Sequence, residues 1–190
     1  YLQIFSHIIT CLVEGEFMQM EDVYRIDQGI ERYMTKTQKK TADFMEGCME
    51  LGGLLGGWSE SEIVQLKKYG HALGMAFQIT DDIMDYRETT ETTGKPVGND
   101  LREGLLTYPL LSIVNDDNKD KLLEDIKALN NGGDEQAIID YVIGQGGIDN
   151  TLAVADQYCK DALAALDAVR DFPGKEFLVM AVENLADRKV

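Results

Sequence analysis

Basic residues are scarce in this sequence. Lys and Arg total 18 against 34 Asp and Glu, which leaves a net charge of −16 at pH 7. Such a surface repels duplex nucleic acid unless basic side chains cluster, and the densest cluster, Lys36 to Lys40, holds only three lysines in five residues. No nucleic-acid partner is expected, and an anionic membrane surface is equally disfavoured. A small anionic substrate stays compatible if metal ions offset the charge. Cysteine is sparse as well: Cys11, Cys48 and Cys159 are far apart, form no CxxC pair and are odd in number, which excludes a disulfide framework. They read as small buried hydrophobes in a reducing compartment. With only His7 and His71 available, a zinc site is not expected. No apolar run approaches the roughly 18 residues of a membrane span and no signal peptide opens the chain, so no stable membrane insertion and a cytoplasmic location are expected. Proline, with three residues, leaves room for long uninterrupted helices. The first residue is Tyr1 rather than Met, and the sequence is read as a piece of something longer.

What is present is helical patterning. The 190 residues are 44% hydrophobic and 27% charged, a balance that supports a packed core. Leu2, Phe5, Ile9, Leu12, Val13 and Phe17 recur at helical spacing and predict a helix over 1–24. A second helix is predicted over 29–56, with Tyr33, Thr37, Phe44, Met45, Cys48, Leu51 and Leu55 on related faces and a stop at Gly56-Gly57. Ser59 followed by Glu62 is a capping box that starts a third helix, running to about Tyr86. Residues 87–101 carry loop chemistry. Further helices are predicted over 103–115, 117–130, 134–144, 148–170 and 175–188, with Pro109 tolerated near the start of the first of these or kinking it. No strand or repeat is evident. The reading is all-α around one core, with residues 1–190 in a single domain.

The chemistry concentrates in Ala72 to Tyr86, ALGMAFQITDDIMDY. Its charged residues are Asp81, Asp82 and Asp85, placed i/i+4 and i/i+3, so carboxylates share a helical face. Like charges at that spacing repel, and apolar flanks raise the cost of ionising them. One reading is a solvated acidic turn. The other is an oxygen-only site for a hard cation, above all Mg2+, with a phosphate or diphosphate on its open side. Lys36 and Lys40, also i/i+4, form a solvated helix face when read alone; beside a metal–carboxylate site they become the cationic wall of a diphosphate pocket. Gly94-Lys95-Pro96 followed by Gly98-Asn99-Asp100 is a loop that could lower a lysine over the same anion. The stripe Phe44, Met45, Cys48, Met49 is either core packing or the wall of a channel for an apolar tail, for which flexible Met is suited.

GMAFQITDDIMDY, TGKPVGNDL and GLLTYPLL, in that order, resemble the second aspartate-rich region of the trans-polyprenyl diphosphate synthases. Gly15-Glu16 with Gln19 resembles that family's GE-x-x-Q element, Lys40-Thr41-Ala42 its K-T-A element, and Leu185-Ala186-Asp187-Arg188 its tail. The resemblance implies an isoprenoid-synthase-type helical bundle around a deep cavity, here the C-terminal part and incomplete at the N-terminus. It implies Mg2+, a homodimer or a heteromer, and head-to-tail condensation of isopentenyl diphosphate with an allylic diphosphate. By the same resemblance Asp81 holds the metal, with Asp82 and Asp85 supporting it and Asp100 ordering the lysine loop or a metal-bound water. Lys40 and Lys95 grip the allylic diphosphate. The Thr41 carbonyl and the Gln78 amide face the developing cation, and Phe77 lines the isopentenyl side. The family's first aspartate-rich motif and its isopentenyl-diphosphate-binding basic residues fall before Tyr1, so the chain by itself is expected to be inactive. Leu105, where short-chain members often carry lysine, leans towards a long-chain product. Two other readings stay open: a non-catalytic, synthase-like partner subunit and a Mg2+-dependent terpene cyclase of the same fold.

Overall fold

The computed structural model describes residues 1–87 and 98–187. Among these residues every regular element is helical. The α-helices are α1 (Leu2–Glu21), α2 (Gly29–Thr37), α3 (Asp43–Leu55), α4 (Glu60–Arg87), α5 (Asn99–Glu103), α6 (Tyr108–Leu111), α7 (Lys119–Ala128), α8 (Glu135–Gly144), α9 (Gly147–Asp167) and α10 (Lys175–Asp187). A π-helical turn, Gln38–Ala42, joins α2 to α3 without a break in the chain's direction. The predicted helix over 29–56 is therefore real but carries a wide turn in its middle.

α4 is the spine. It packs along α3 on one side and α9 on the other, which explains why its buried residues surround the axis rather than forming a stripe: Ile63, Leu66, Tyr69, Met75, Ile79 and Ile83 are all inside. Its start is the predicted capping box, with the Ser59 backbone N–H donating to Glu62 Oε2 at 3.1 Å and the Glu62 N–H donating to Ser59 Oγ at 3.4 Å. Met75, Ile79 and Ile83 centre one core with Leu101, Leu110, Ile126 and Val142. One turn back along α4, Tyr69, Ala72 and Ala76 meet Cys159, Ala162 and Leu166 of α9 and Val182 of α10 in a second.

Close helix approach depends on missing side chains. A Cβ on Gly15 of α1 would stand 2.9 Å from the Lys40 backbone nitrogen, and one on Gly74 of α4 would stand 2.6 Å from Ala42 Cα. The π turn is thus clasped between two glycines, neither of which could become alanine without the backbone shifting.

Three expectations are corrected. The helix predicted over 103–115 divides into α5 and α6. Gly104 takes a left-handed conformation (φ 74°) and Thr107 is extended, so Pro109 opens the first turn of a new helix, where a missing N–H costs nothing. The loop between them presents Leu105, Leu106 and Thr107 to the site below. Cys11 and Cys159 are buried as expected, but Cys48 is exposed. Phe44, in the same stripe, is 48% exposed, so core packing fails for half of that stripe; Met49 does pack against the second core. The reason is that α3 turns its glycines inward: Gly47 receives Ile8 of α1, and Gly53 receives Ile63 and Leu66 of α4. On α1 the same logic applies. Its packed face is Ile8, Cys11 and Gly15, while Leu2, Phe5, Ile9, Val13, Phe17 and Met20 form an exposed apolar ridge. Among the described residues no helix is long and apolar enough to cross a membrane.

Candidate active site

The π turn sets the site. It follows Tyr33, Lys36 and Thr37 on α2 with Lys40 and Thr41, and all five side chains face one cavity of about 150 Å³. A π turn of this kind is rare and concentrates at functional sites. From α4 come Gln78, Asp81 and Asp82, from α5 Asp100, and from the extended segment Leu105, Leu106 and Thr107; Gln19 of α1 closes the rim.

A chain of hydrogen bonds crosses the floor. The Thr41 hydroxyl donates to Gln78 Oε1 at 3.1 Å, Gln78 Nε2 donates to Asp82 Oδ1 at 3.2 Å, and the Tyr33 hydroxyl donates to Asp82 Oδ2 at 2.5 Å. Asp82 is only 3% exposed. Burial pushes its carboxyl up to about 7, and the neighbouring Asp100 and Asp81 charges push the same way, against the pull of the Tyr33 and Gln78 donors. Asp100 is pushed up to about 6, again chiefly by burial and then by Asp85 and Asp81. Asp81 is exposed and opens directly onto the cavity. Asp85 sits differently. Its two carboxylate oxygens accept from the backbone N–H groups of Asn99 and Asp100 at 3.0 and 3.1 Å, so it caps α5 and thereby fixes Asp100. Burial raises it, and those two bonds oppose the rise.

The opposite wall is cationic. Lys36 is 8% exposed with its ammonium 5.8 Å above the Tyr33 ring centroid, and burial lowers its pKa while Asp22 and Asp82 resist. Lys40 Nζ donates to Gln19 Oε1 at 2.9 Å and pairs with Glu16 at 3.0 Å, so the GE-x-x-Q segment holds the lysine at the rim. A floor of carboxylates strained towards protonation, facing two ammonium groups across a small polar cavity, suits a divalent cation bridging to an anion. The donors fit a hard ion: all are oxygens, and the excess negative charge is what a cation would relieve.

The structure brings together Lys40, Thr41, Gln78, Asp81, Asp82 and Asp100. Asp85 belongs to the scaffold of the site. Phe77 is 38% exposed, one turn before Asp81 on the same side of α4, and does not line this cavity. Lys95, with the rest of the Gly94-Lys95-Pro96 segment, lies outside the described residues, as does Arg188 of the tail. The sequence missed Tyr33, which reads as a core aromatic, and Thr107, hidden inside the predicted helix over 103–115. The i, i+3, i+7 spacing of Tyr33, Lys36 and Lys40, which puts the ring on the face of the two lysines, is a signal that could have found the first.

Comparisons with known proteins bear on the family and the fold. The family model described as polyprenyl synthetase matches residues 1–144. The heptaprenyl diphosphate synthase component 2 of Geobacillus stearothermophilus is 33% identical over 167 residues, covering 88% of this chain and 52% of that protein. A decaprenyl diphosphate synthase from Rhodobacter capsulatus superposes with a TM-score of 0.88 at 26% identity, covering 100% of this chain and 59% of that one. A polyprenyl synthase from Caulobacter crescentus, complexed with calcium and isoprenyl diphosphate, superposes with a TM-score of 0.86 at 29% identity, covering 100% of this chain and 59% of that one. The chain spans about half the length of the curated relatives it matches. With a family model matched over three-quarters of its residues and the fold shared along its whole length, the chain belongs to the polyprenyl synthetase family.

Proposed function

We propose that this chain supplies one half of the catalytic cavity of a trans-polyprenyl diphosphate synthase, which condenses isopentenyl diphosphate with an allylic diphosphate. The observation that carries this is the facing of Asp81, Asp82 and Asp100 against Lys36 and Lys40 in one cavity, with Thr41, Gln78, Asp82 and Tyr33 hydrogen-bonded in series beneath it. Mg2+ held by Asp81, with Asp82 and Asp100 close by, would neutralise the charge that develops on a departing diphosphate. Asp85 contributes by holding the α5 N-terminus, and with it Asp100, in place. Lys40, released from Gln19 and Glu16, turns its ammonium to the allylic diphosphate; Lys36 adds a second, more deeply set positive charge. The Thr41 carbonyl and the Gln78 amide face the allylic carbons, where positive charge appears as the diphosphate leaves. The amide cannot swing freely, because Thr41 and Asp82 grip its two ends. Lys95 is proposed to join Lys40 on the diphosphate. Phe77, on the exposed side of α4, reaches an isopentenyl group only outside the small cavity.

The working assembly is proposed to be a cytoplasmic homodimer. A heteromer is the second reading, favoured by the relative named as component 2 of its synthase.

The test is product formation from an allylic diphosphate and labelled isopentenyl diphosphate with Mg2+, using the longest form in which the chain is expressed. Asp81→Ala is expected to lower turnover by a factor of about 10³ through lost electrostatic stabilisation. Near-normal turnover in Asp81→Ala would remove the site assignment. Turnover that appears only with a partner chain supplied, and is untouched by Asp81→Ala, would favour the non-catalytic subunit.

A further inference from the structure

We propose that His7, Cys11 and Asp43 form a binding site for a zinc-class divalent cation that clamps α1 to the start of α3, apart from the carboxylate cavity. Composition argues against zinc only if the ligands must come from a Cys/His cluster. The fold instead assembles one nitrogen, one sulfur and one oxygen donor. His7 and Cys11 are i/i+4 on α1 and therefore present side chains to the same neighbour. That neighbour is the first turn of α3, where one ligand atom from each of His7, Cys11 and Asp43 lies within 4.8 Å of the other two. Cys11 Sγ is 3.6 Å from His7 Nε2.

The juxtaposition is built into the helix packing. Ile8, between the two α1 ligands, fills the space over Gly47, one turn after Asp43; even a Cβ at Gly47 would collide with it. The helices are thereby held close at the level of the three donors. Asp43 and Cys11 are buried, at 9% and 3% exposure, while His7 is exposed. A cavity of about 200 Å³ lined by His7, Asp43 and Gly47 opens beside them and gives a cation a way in. One Asp43 oxygen accepts from Gln38 Nε2 at 3.3 Å, a contact that orients the carboxylate as outer partners of metal ligands do.

Asp43 has a second set of neighbours, Glu46 and His71. There partners are already in place: Lys67 Nζ lies 3.5 Å from Glu46 Oε1 and 2.8 Å from Glu50 Oε2, and His71 Nδ1 lies 3.6 Å from Glu46 Oε2. A cation on that side would have to displace an existing pairing, so the α1 side is the site. The donor set also distinguishes this cluster from the all-oxygen carboxylate cavity. Magnesium prefers oxygen alone, as at Asp81; a thiolate and an imidazole select zinc or cobalt. Three protein ligands leave a fourth position to water. Binding deprotonates the Cys11 thiol, and that proton passes to solvent.

The experiment is cobalt and zinc titration of the longest expressed form, purified without a histidine tag. One equivalent of Co2+ is expected to produce a thiolate-to-cobalt charge-transfer band, displaced by Zn2+ and indifferent to excess Mg2+. Cys11→Ser is expected to abolish the band, and His7→Ala, at an exposed position that tolerates truncation, to weaken binding by about tenfold or more. Zn2+ is expected to raise the thermal midpoint of the wild type but not of His7→Ala, while Mg2+-dependent diphosphate binding stays the same in both. A silent titration would overturn the proposal, as would a band that survives Cys11→Ser and so belongs to Cys48 or Cys159, or affinity unchanged in His7→Ala.

Discussion

Asp82 is the residue on which the site turns. It is buried in the C-terminal third of the α4 spine, and among the described residues its two oxygens receive two side-chain donors, Tyr33 and Gln78. Removing one of these leaves a buried carboxyl short of a partner, a loss of about 1–3 kcal/mol. Tyr33→Phe is expected to destabilise the chain by that amount in urea unfolding and to weaken metal binding, with the fold intact by circular dichroism. The pH dependence follows from the same environment. The folded state holds a proton on Asp82 up to about 7 and on Asp100 up to about 6, whereas the unfolded chain releases both near pH 4. Between pH 4 and 7 the folded state thus binds more protons, so in the absence of metal this contribution to stability falls as pH rises. Mg2+ favours the ionised carboxylates and is expected to stabilise the chain most at the upper end of that window. Urea midpoints at pH 4.5 and 7, with and without Mg2+, measure both effects; a metal-free chain that gains stability from these groups as pH rises would contradict them.

At the scale of elements, the π turn is the device that makes a helix into a site. Lys36 and Lys40 would share a face in any helix, but the wide turn and its two glycine clasps fix where that face lies relative to α4. Gly74→Ala pushes a methyl group into the Ala42 backbone and is expected to cost about 1–3 kcal/mol, with Lys40 and Thr41 displaced. A loss of activity greater than the loss of stability, compared with a substitution of similar cost elsewhere in the core, would identify the turn as the sensitive element. Most elements were legible because their ends carry local chemistry: Ser59 with Glu62 opens α4, and Gly57, with φ 66°, ends α3. Residues 103–115 misled because apolar periodicity alone continues through Gly104 and Thr107. Tertiary contacts decide there. The Tyr24 N–H donates to the Gly104 carbonyl at 2.8 Å, and the Tyr24 ring fills the space a side chain at Gly104 would need.

For the molecule as a whole, α1 is apolar on two faces, and the described residues cover one of them. The ridge from Leu2 to Met20 stands open along its length, larger than scattered surface hydrophobes account for. Phe5→Glu with Phe17→Glu is expected to reduce self-association of the 190-residue chain in sedimentation velocity, while leaving its circular dichroism unchanged; equal association in both forms would show that the ridge is not adhesive. Such a face could not be assigned from periodicity, which says that a helix has an apolar side but not which neighbour meets it. The candidate site divides in the same way. Asp81, Asp82, Lys40, Thr41 and Gln78 stood out because each lies in a short motif with charge where a core helix should have none. Tyr33 shares a face with Lys36 and Lys40 but lies 49 positions from its partner Asp82, and Thr107 sits in the GLLTYPLL motif but inside an apparent helix, so neither role could be read without the tertiary fold.

The most direct measurement is calorimetric titration of a non-hydrolysable allylic diphosphate analogue into the longest expressed form, with and without Mg2+. Binding that requires Mg2+, and that weakens by about 100-fold in Asp81→Ala and measurably in Lys40→Ala, is the expected result. Equal affinity with and without the metal, or affinity untouched by Asp81→Ala, would contradict the assignment of this cavity to a metal-held diphosphate.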